Sequence, residues 1–413
     1  MATLVLLTGV LTPAWPLAAQ QGPSHSTASS FCPPLPAATG PTVTVGTEAD
    51  LRSQAYGAPA GTAILVSPGT YAMADFVHIV NAGITLRGST GDPDDVILDF
   101  GGMVGGHFGI MVSADDVTIA DLTARNAADH GVSIQGVDRP TLYNLHILDI
   151  NDQLVKVNPL GDGSDDGLLA CSRLAYTTTD PDGYTNGISG HNAHRWTIRD
   201  NAWVRIRTSN GTPVPAILFW SGSSDTLVER NTLIDCSQGI AFGNASQVGV
   251  NHTGGVVRNN LIYASQPHDV MIEMVRSTGW QVGHNTVIGL NPAPGLSWLI
   301  EARYSESAGT FANNLSNLAV WVDRDGAAGT STGDVVTAEA SWFVDGSPAN
   351  AADVDLHLDP SATGAIDVAE RVSWASLDID GELRPGGRLA DAGADEAGPL
   401  TLNTLVFLPL VLR

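Results

Sequence analysis

Asn201, Asn231, Asn260, Asn285 and Asn314 hold the same slot of one repeated phrase, spaced 30, 29, 25 and 29 residues apart. The phrase is two short alternating strands that meet at the asparagine. It is clearest over residues 195–206 and returns at 226–235, 256–263, 281–288 and 310–318. A strand-rich unit of this period cannot bury its apolar face alone, so its copies must stack into a solenoid. Counted backwards, the slot falls on Ser172, Leu145 and Leu122, which predicts eight turns with one or two irregular ones before them.

A second strand family lies between the slots, at residues 109–112, 131–134, 154–157, 187–190, 216–219, 239–242, 271–274, 299–302 and 319–322. Parallel strands stacked one turn apart, at about 4.8 Å, bring like positions into columns. The two-residue period then buries Ile110, Val132, Val155, Ile188, Ile217, Ile240, Ile272, Ile300 and Val320. Met111, Ser133, Lys156, Ser189, Leu218, Ala241, Glu273, Glu301 and Trp321 face outward, and one outward step further come Gln135, Asn158, His191, Trp220 and Arg303. An asparagine column inside such a stack hands amide hydrogen bonds from turn to turn, which assigns the slot to scaffold rather than chemistry.

The ends follow the same logic. Thr47-Glu-Ala-Asp50 has the form of a capping box before a short helix over 51–55. Residues 1–19 are apolar and run out through Pro16-Leu-Ala-Ala19 before Gln20, as a secretory signal does, and 20–45 read as a flexible leader. The repeat region is expected over 46–325, with 326–398 as C-terminal turns and an edge-covering cap. Residues 399–413 form an apolar tail too short to span a bilayer, a candidate sorting or attachment signal. A secreted or cell-surface monomer is the expected state.

Composition narrows the partners. Nineteen basic against 43 acidic residues, net −24, disfavours nucleic acid and anionic membranes. The basic residues are eighteen arginines and the single lysine, Lys156. Three cysteines give neither a disulfide framework nor a metal-binding spacing, and Cys171 and Cys236 read as small core residues.

Four features resemble the pectin-lyase-like superfamily of right-handed parallel β-helices, nearest to its alginate-lyase and chondroitinase B-like branch. They are Ile64-Leu-Val-Ser-Pro-Gly-Thr-Tyr71 after the entry helix, Ile84-Thr-Leu-Arg-Gly88, the turns at Asp200-Asn201 and Asn259-Asn260, and the closing Asp391-Ala-Gly-Ala-Asp-Glu396. The resemblance covers roughly 46–396. It implies an all-β, single-stranded right-handed parallel β-helix of about nine to ten turns, with a short N-terminal helix and an irregular C-terminal cap. The fold hosts lyases, hydrolases and non-catalytic adhesins, so the function must come from the site.

The resemblance implies a lyase that cleaves a uronic-acid-containing polysaccharide by β-elimination. Lys156 would be the base and His191 the acid or second base. Relatives of this type carry an arginine about one turn after the lysine. Ser189-Gly-His191 stands there in this chain, which leaves Arg173 or Arg195 to substitute. Gln135, Asn158, Trp220, Glu273, Glu301 and Arg303 would bind the acidic sugar chain. Asp162, Asp165 and Asp166 form a glycine-rich acidic loop suited to Ca2+, with Asp180 and Asp182 as a second candidate. The alternatives are a polygalacturonase-like glycoside hydrolase using Asp165 and Asp166 with His191 and 205–207, or a non-catalytic carbohydrate-binding surface protein.

Overall fold

The computed structural model describes residues 31–181 and 183–397. The expected signal, the whole apolar tail, the first part of the leader and Asp182 lie outside the described residues.

Every pairing along the solenoid is parallel, and one wall is a ten-strand sheet. Its strands follow one another in chain order from Val77–Ile79 through Ile110–Val112, Val132–Gln135, Gln153–Asn158, Asn186–His191, Pro215–Trp220, Gln238–Phe242, Ile272–Val275 and Trp298–Arg303 to Ala319–Arg324. These are the second strand family, with one rung added in front. The register is the expected one: Ser133 lies opposite Lys156, Lys156 opposite Ser189, and Glu273 opposite Glu301. Eight of the nine inward positions are fully buried, and Val320 packs against them at the open end.

The remaining walls form a 24-strand sheet that bends at the asparagine slot. Asp121, Asn144, Cys171, Asp200, Arg230, Asn259, His284 and Asn313, each just before a slot residue, have φ between 50 and 60°. One left-handed residue per turn makes the corner, and asparagine and aspartate tolerate that conformation better than most residues. Inside the corner, the Nδ2 groups of Asn201, Asn231, Asn260 and Asn285 each donate to the Oδ1 of the next asparagine at 2.9–3.0 Å. Asn314 ends the ladder by donating to Asp334 at 2.8 Å. Earlier in the chain Ser172 takes the slot, its Oγ accepting from the Leu145 amide at 3.0 Å.

Thr47 caps the helix Glu48–Gly57, which covers the first turn. The C-terminal segment closes the other end. Glu396 holds the buried Arg384, and the amide of Ala394 donates to Thr286 on the slot wall at 2.9 Å.

The cysteine and leader expectations need correction. Cys32 and Cys171 form a disulfide across 139 residues, whereas Cys236 is a buried free thiol as expected. Residues 31–45 are a strap, not a loose leader. The carbonyls of Pro33 and Pro36 accept from Tyr143 and Arg87, Arg230 sits over the Phe31 ring at 4.1 Å, and Thr42–Val45 pairs with Ala63–Val66. A strap of this kind has no repeat, so the period that finds the solenoid is blind to it.

Replacing Asn260 by Ala strands the buried backbone N–H of Asn231, which donates to Asn260 Oδ1, and takes one of two donors from Asn285 Oδ1. The expected cost is about 2–4 kcal/mol, read as a lowered denaturation midpoint. Asn260→Ser, which copies Ser172, should cost less.

Candidate active site on the ten-strand sheet

Lys156 stands near the middle of the outward face and is the lone lysine of the chain. Its Nζ lies 2.9 Å from Nε2 of His191, one strand on. The same Nε2 accepts the indole N–H of Trp220 at 3.0 Å, and the Ser189 hydroxyl lies 3.2 Å away. An indole N–H can only donate, so Nε2 must be an acceptor and the ring proton must sit on Nδ1. Burial, and then the charge of Lys156, depress the His191 pKa to about 4. His191 is therefore neutral at physiological pH and receives a hydrogen bond from Lys156.

Burial also lowers the Lys156 pKa, while Asp152 and Asp129 pull it part of the way back. An amine with a depressed pKa offers its neutral, basic form at lower pH than an ordinary lysine. Beside it, the side-chain amides of Gln135 and Asn158 both donate to Ser133 Oγ, at 2.8 and 3.1 Å, which fixes two N–H-rich groups on the same face. The parity of the strands brings these residues together, as the sequence implied.

The structure does not bring the two arginines to the lysine. Arg173 is exposed on the strand Arg173–Ala175 of the other sheet. Arg195 sits at a corner, bonded to Asp166 Oδ1 at 2.7 Å and Asp165 Oδ2 at 2.6 Å. That pairing also bears on the acidic loop. The Arg195 guanidinium occupies the place a cation would take between Asp165 and Asp166, so the Asp162–Asp165–Asp166 set does not fit calcium. Among the described residues the groups whose ligand atoms converge are elsewhere, the nearest to Lys156 being Asp129, His130 and Asp152. Two carboxylates and an imidazole beside a lysine fall short of the six to eight oxygens calcium takes.

Tyr184 escaped sequence reasoning. Its ring is exposed, its hydroxyl bonds the Gln153 side chain, and burial of that hydroxyl with the nearby Asp152 charge raises its pKa. It stands on a loop without periodicity, and no sequence signal marks it.

Further along the same column lie Glu273 and Glu301. Glu301 is fully buried, its carboxylate held by Arg324 at 2.7 Å and by the Trp298 indole. Glu273 accepts from Gln238 at 2.8 Å, and burial, the Glu301 charge and a hydrogen bond to Glu301 push its pKa well up. It is the protonated member of the pair. Arg303 is paired with Asp325 at 2.7 Å, and Trp298 meets Trp321 edge to face at 4.5 Å.

No family profile matches the chain, and no curated protein matches it in sequence. Solved structures do. An alginate lyase from Paenibacillus sp. str. FPU-7 is 19% identical with a TM-score of 0.50, covering 71% of this chain and 99% of its own. Pectate lyase Pel9A is 16% identical with a TM-score of 0.53, covering 84% of this chain and 90% of its own. The chain is a right-handed parallel β-helix of the pectin-lyase-like fold. At these identities the likeness is one of fold, and the β-helix supplies the frame on which Lys156 and its neighbours are set.

The carboxyl pair makes a stability prediction. Above pH 4.5, the ordinary glutamate value, the unfolded chain releases a proton that native Glu273 keeps, so stability falls as pH rises. Glu273→Gln retains the hydrogen bond and removes that proton. The variant should match the wild type near pH 4.5 and exceed its Tm increasingly towards pH 8, as read by thermal unfolding across pH.

Proposed function

We propose that the protein is a polysaccharide lyase acting on a uronic-acid-containing chain, with Lys156 as the base. The observation that carries this reading is the half-buried lysine with a lowered pKa, hydrogen-bonded to a neutral histidine on an open sheet face. The sugar lies over the ten-strand sheet with its carboxylate against the amides of Gln135 and Asn158. Neutral Lys156 takes the proton α to that carboxylate, the electron pair forms the ring double bond, and the bond to the leaving oxygen breaks. Tyr184, kept protonated, returns a proton to that oxygen from the rim. His191 acts through Lys156: its Nε2 fixes the amine and, being an acceptor, does not serve as the acid. No step runs through calcium.

The similar structures named alginate lyase and pectate lyase support a polysaccharide substrate by fold. The Cys32–Cys171 disulfide, with the apolar residues 1–19, supports an exported protein, since such bonds persist outside the reducing cytosol. The hydrolase reading is disfavoured because Asp165 and Asp166 are neutralised by Arg195.

Incubation with alginate, pectate and chondroitin, followed by the ultraviolet absorbance of an unsaturated product, tests the reading. Reducing ends without that absorbance would replace it with hydrolysis. Absence of both, with retained binding, would replace it with a carbohydrate-binding role. Lys156→Met should lower kcat by about 10²–10⁴-fold, with the fold intact by circular dichroism. The wild-type rate should rise with pH as Lys156 loses its proton, with a midpoint below that of an ordinary lysine. A chelator should leave the rate unchanged.

A further inference from the structure

The ten-strand sheet begins, among the described residues, at Val77–Ile79, against which the helix Glu48–Gly57 packs. Between them lies a cavity of about 380 Å³ lined by Arg52, Tyr56, Asp75, Phe76 and His78. Tyr56 and Phe76 flank the His78 ring at 5.9 and 5.6 Å between centroids, and Tyr56 is 61% exposed. His78 is braced by Ser113 at 3.0 Å, and Arg52 pairs with Asp75 at 3.7 Å and with Glu48. Two accessible aromatic rings with a rim of ion-paired polar groups suit a pyranose ring, whose C–H faces lie on aromatics and whose hydroxyls bond charged side chains. The Arg52 guanidinium, held in place by Glu48 and Asp75, adds N–H donors for sugar hydroxyls.

The pocket is aligned with the candidate active site. His78 lies opposite Met111, Met111 opposite Ser133, and Ser133 opposite Lys156. His78 and Lys156 thus share one outward column, three strand spacings or about 14 Å apart.

We propose that this pocket is a terminal subsite that seats one end of the polysaccharide lying over Lys156. It rests on the lyase reading and sharpens it. The distance from pocket to lysine is a short oligosaccharide, so the enzyme works from a chain end and releases a fragment of fixed, short length. The helix Glu48–Gly57 then has a second role beyond covering the first turn, because it supplies one aromatic wall of the subsite.

The test compares wild type with Tyr56→Ala and with Tyr56→Ala/Phe76→Ala on alginate, pectate and chondroitin and on their hexasaccharides. The expected result is one dominant short product from the wild type. In the variants the product lengths should spread and KM for the hexasaccharide should rise about tenfold. An unchanged product pattern and KM overturn the subsite and leave the lyase reading intact. If the wild type cleaves nothing, the lyase reading falls, and calorimetric titration with the same hexasaccharides decides the pocket. Weaker binding by Tyr56→Ala supports it, whereas equal binding, or none by either protein, overturns it. Tyr56 is exposed, so the single variant keeps the test valid if the double variant fails to fold.

Discussion

The structure depends on turn-to-turn register, and register depends on hydrogen bonds between identical positions of successive turns. In a parallel stack the buried aliphatic column already opposes a one-residue slip, which would turn every one of its residues outward. A two-residue slip keeps that parity, and the apolar column alone does little to forbid it. The amide ladder from Asn201 to Asp334 forbids it, because each rung is satisfied only when the next lies directly beside it. The apolar column of the ten-strand sheet then supplies most of the burial. The ladder specifies the arrangement that the apolar column stabilises.

Charge is organised by the same stacking. Asp116, Arg139, Asp166, Arg195 and Asp225 all take left-handed φ values, 54 to 60°, and form a corner column of alternating sign. Arg139 pairs with Asp116 and Arg195 with Asp166 one turn away. In a protein of net charge −24 this keeps acidic corners from repelling one another. It also explains why an acidic loop that looks like a cation site on paper is a satisfied surface pairing in three dimensions.

The fold was legible because periodicity is a property of sequence. The spacing of the asparagines and the parity of Val155, Lys156 and Val157 were enough to place Lys156, His191, Trp220, Gln135 and Asn158 on one face. Arg195 could have been read in the same way, since it falls 29 residues after Asp166, within the range of one turn. The resemblance to relatives that pair lysine with arginine pointed instead towards the lysine. Illegible were the groups whose positions depend on irregular chain: Cys32 on the strap, Tyr184 on its loop, and the tautomer of His191. The last is set by the direction of one indole N–H from Trp220. No pattern of residue types contains that direction.

The asparagine ladder has a polarity. Each side-chain amide donates toward the C-terminal end and accepts from the N-terminal side, so the amide dipoles add along the solenoid instead of cancelling. The row must finish on a group that accepts without needing to donate, and Asp334, a carboxylate taking two N–H bonds from Asn314, is such a group. Lengthening the protein is therefore asymmetric. A coil with asparagine in its slot could be inserted anywhere within the row, but none could be added past Asp334 without moving the acidic terminator along with it.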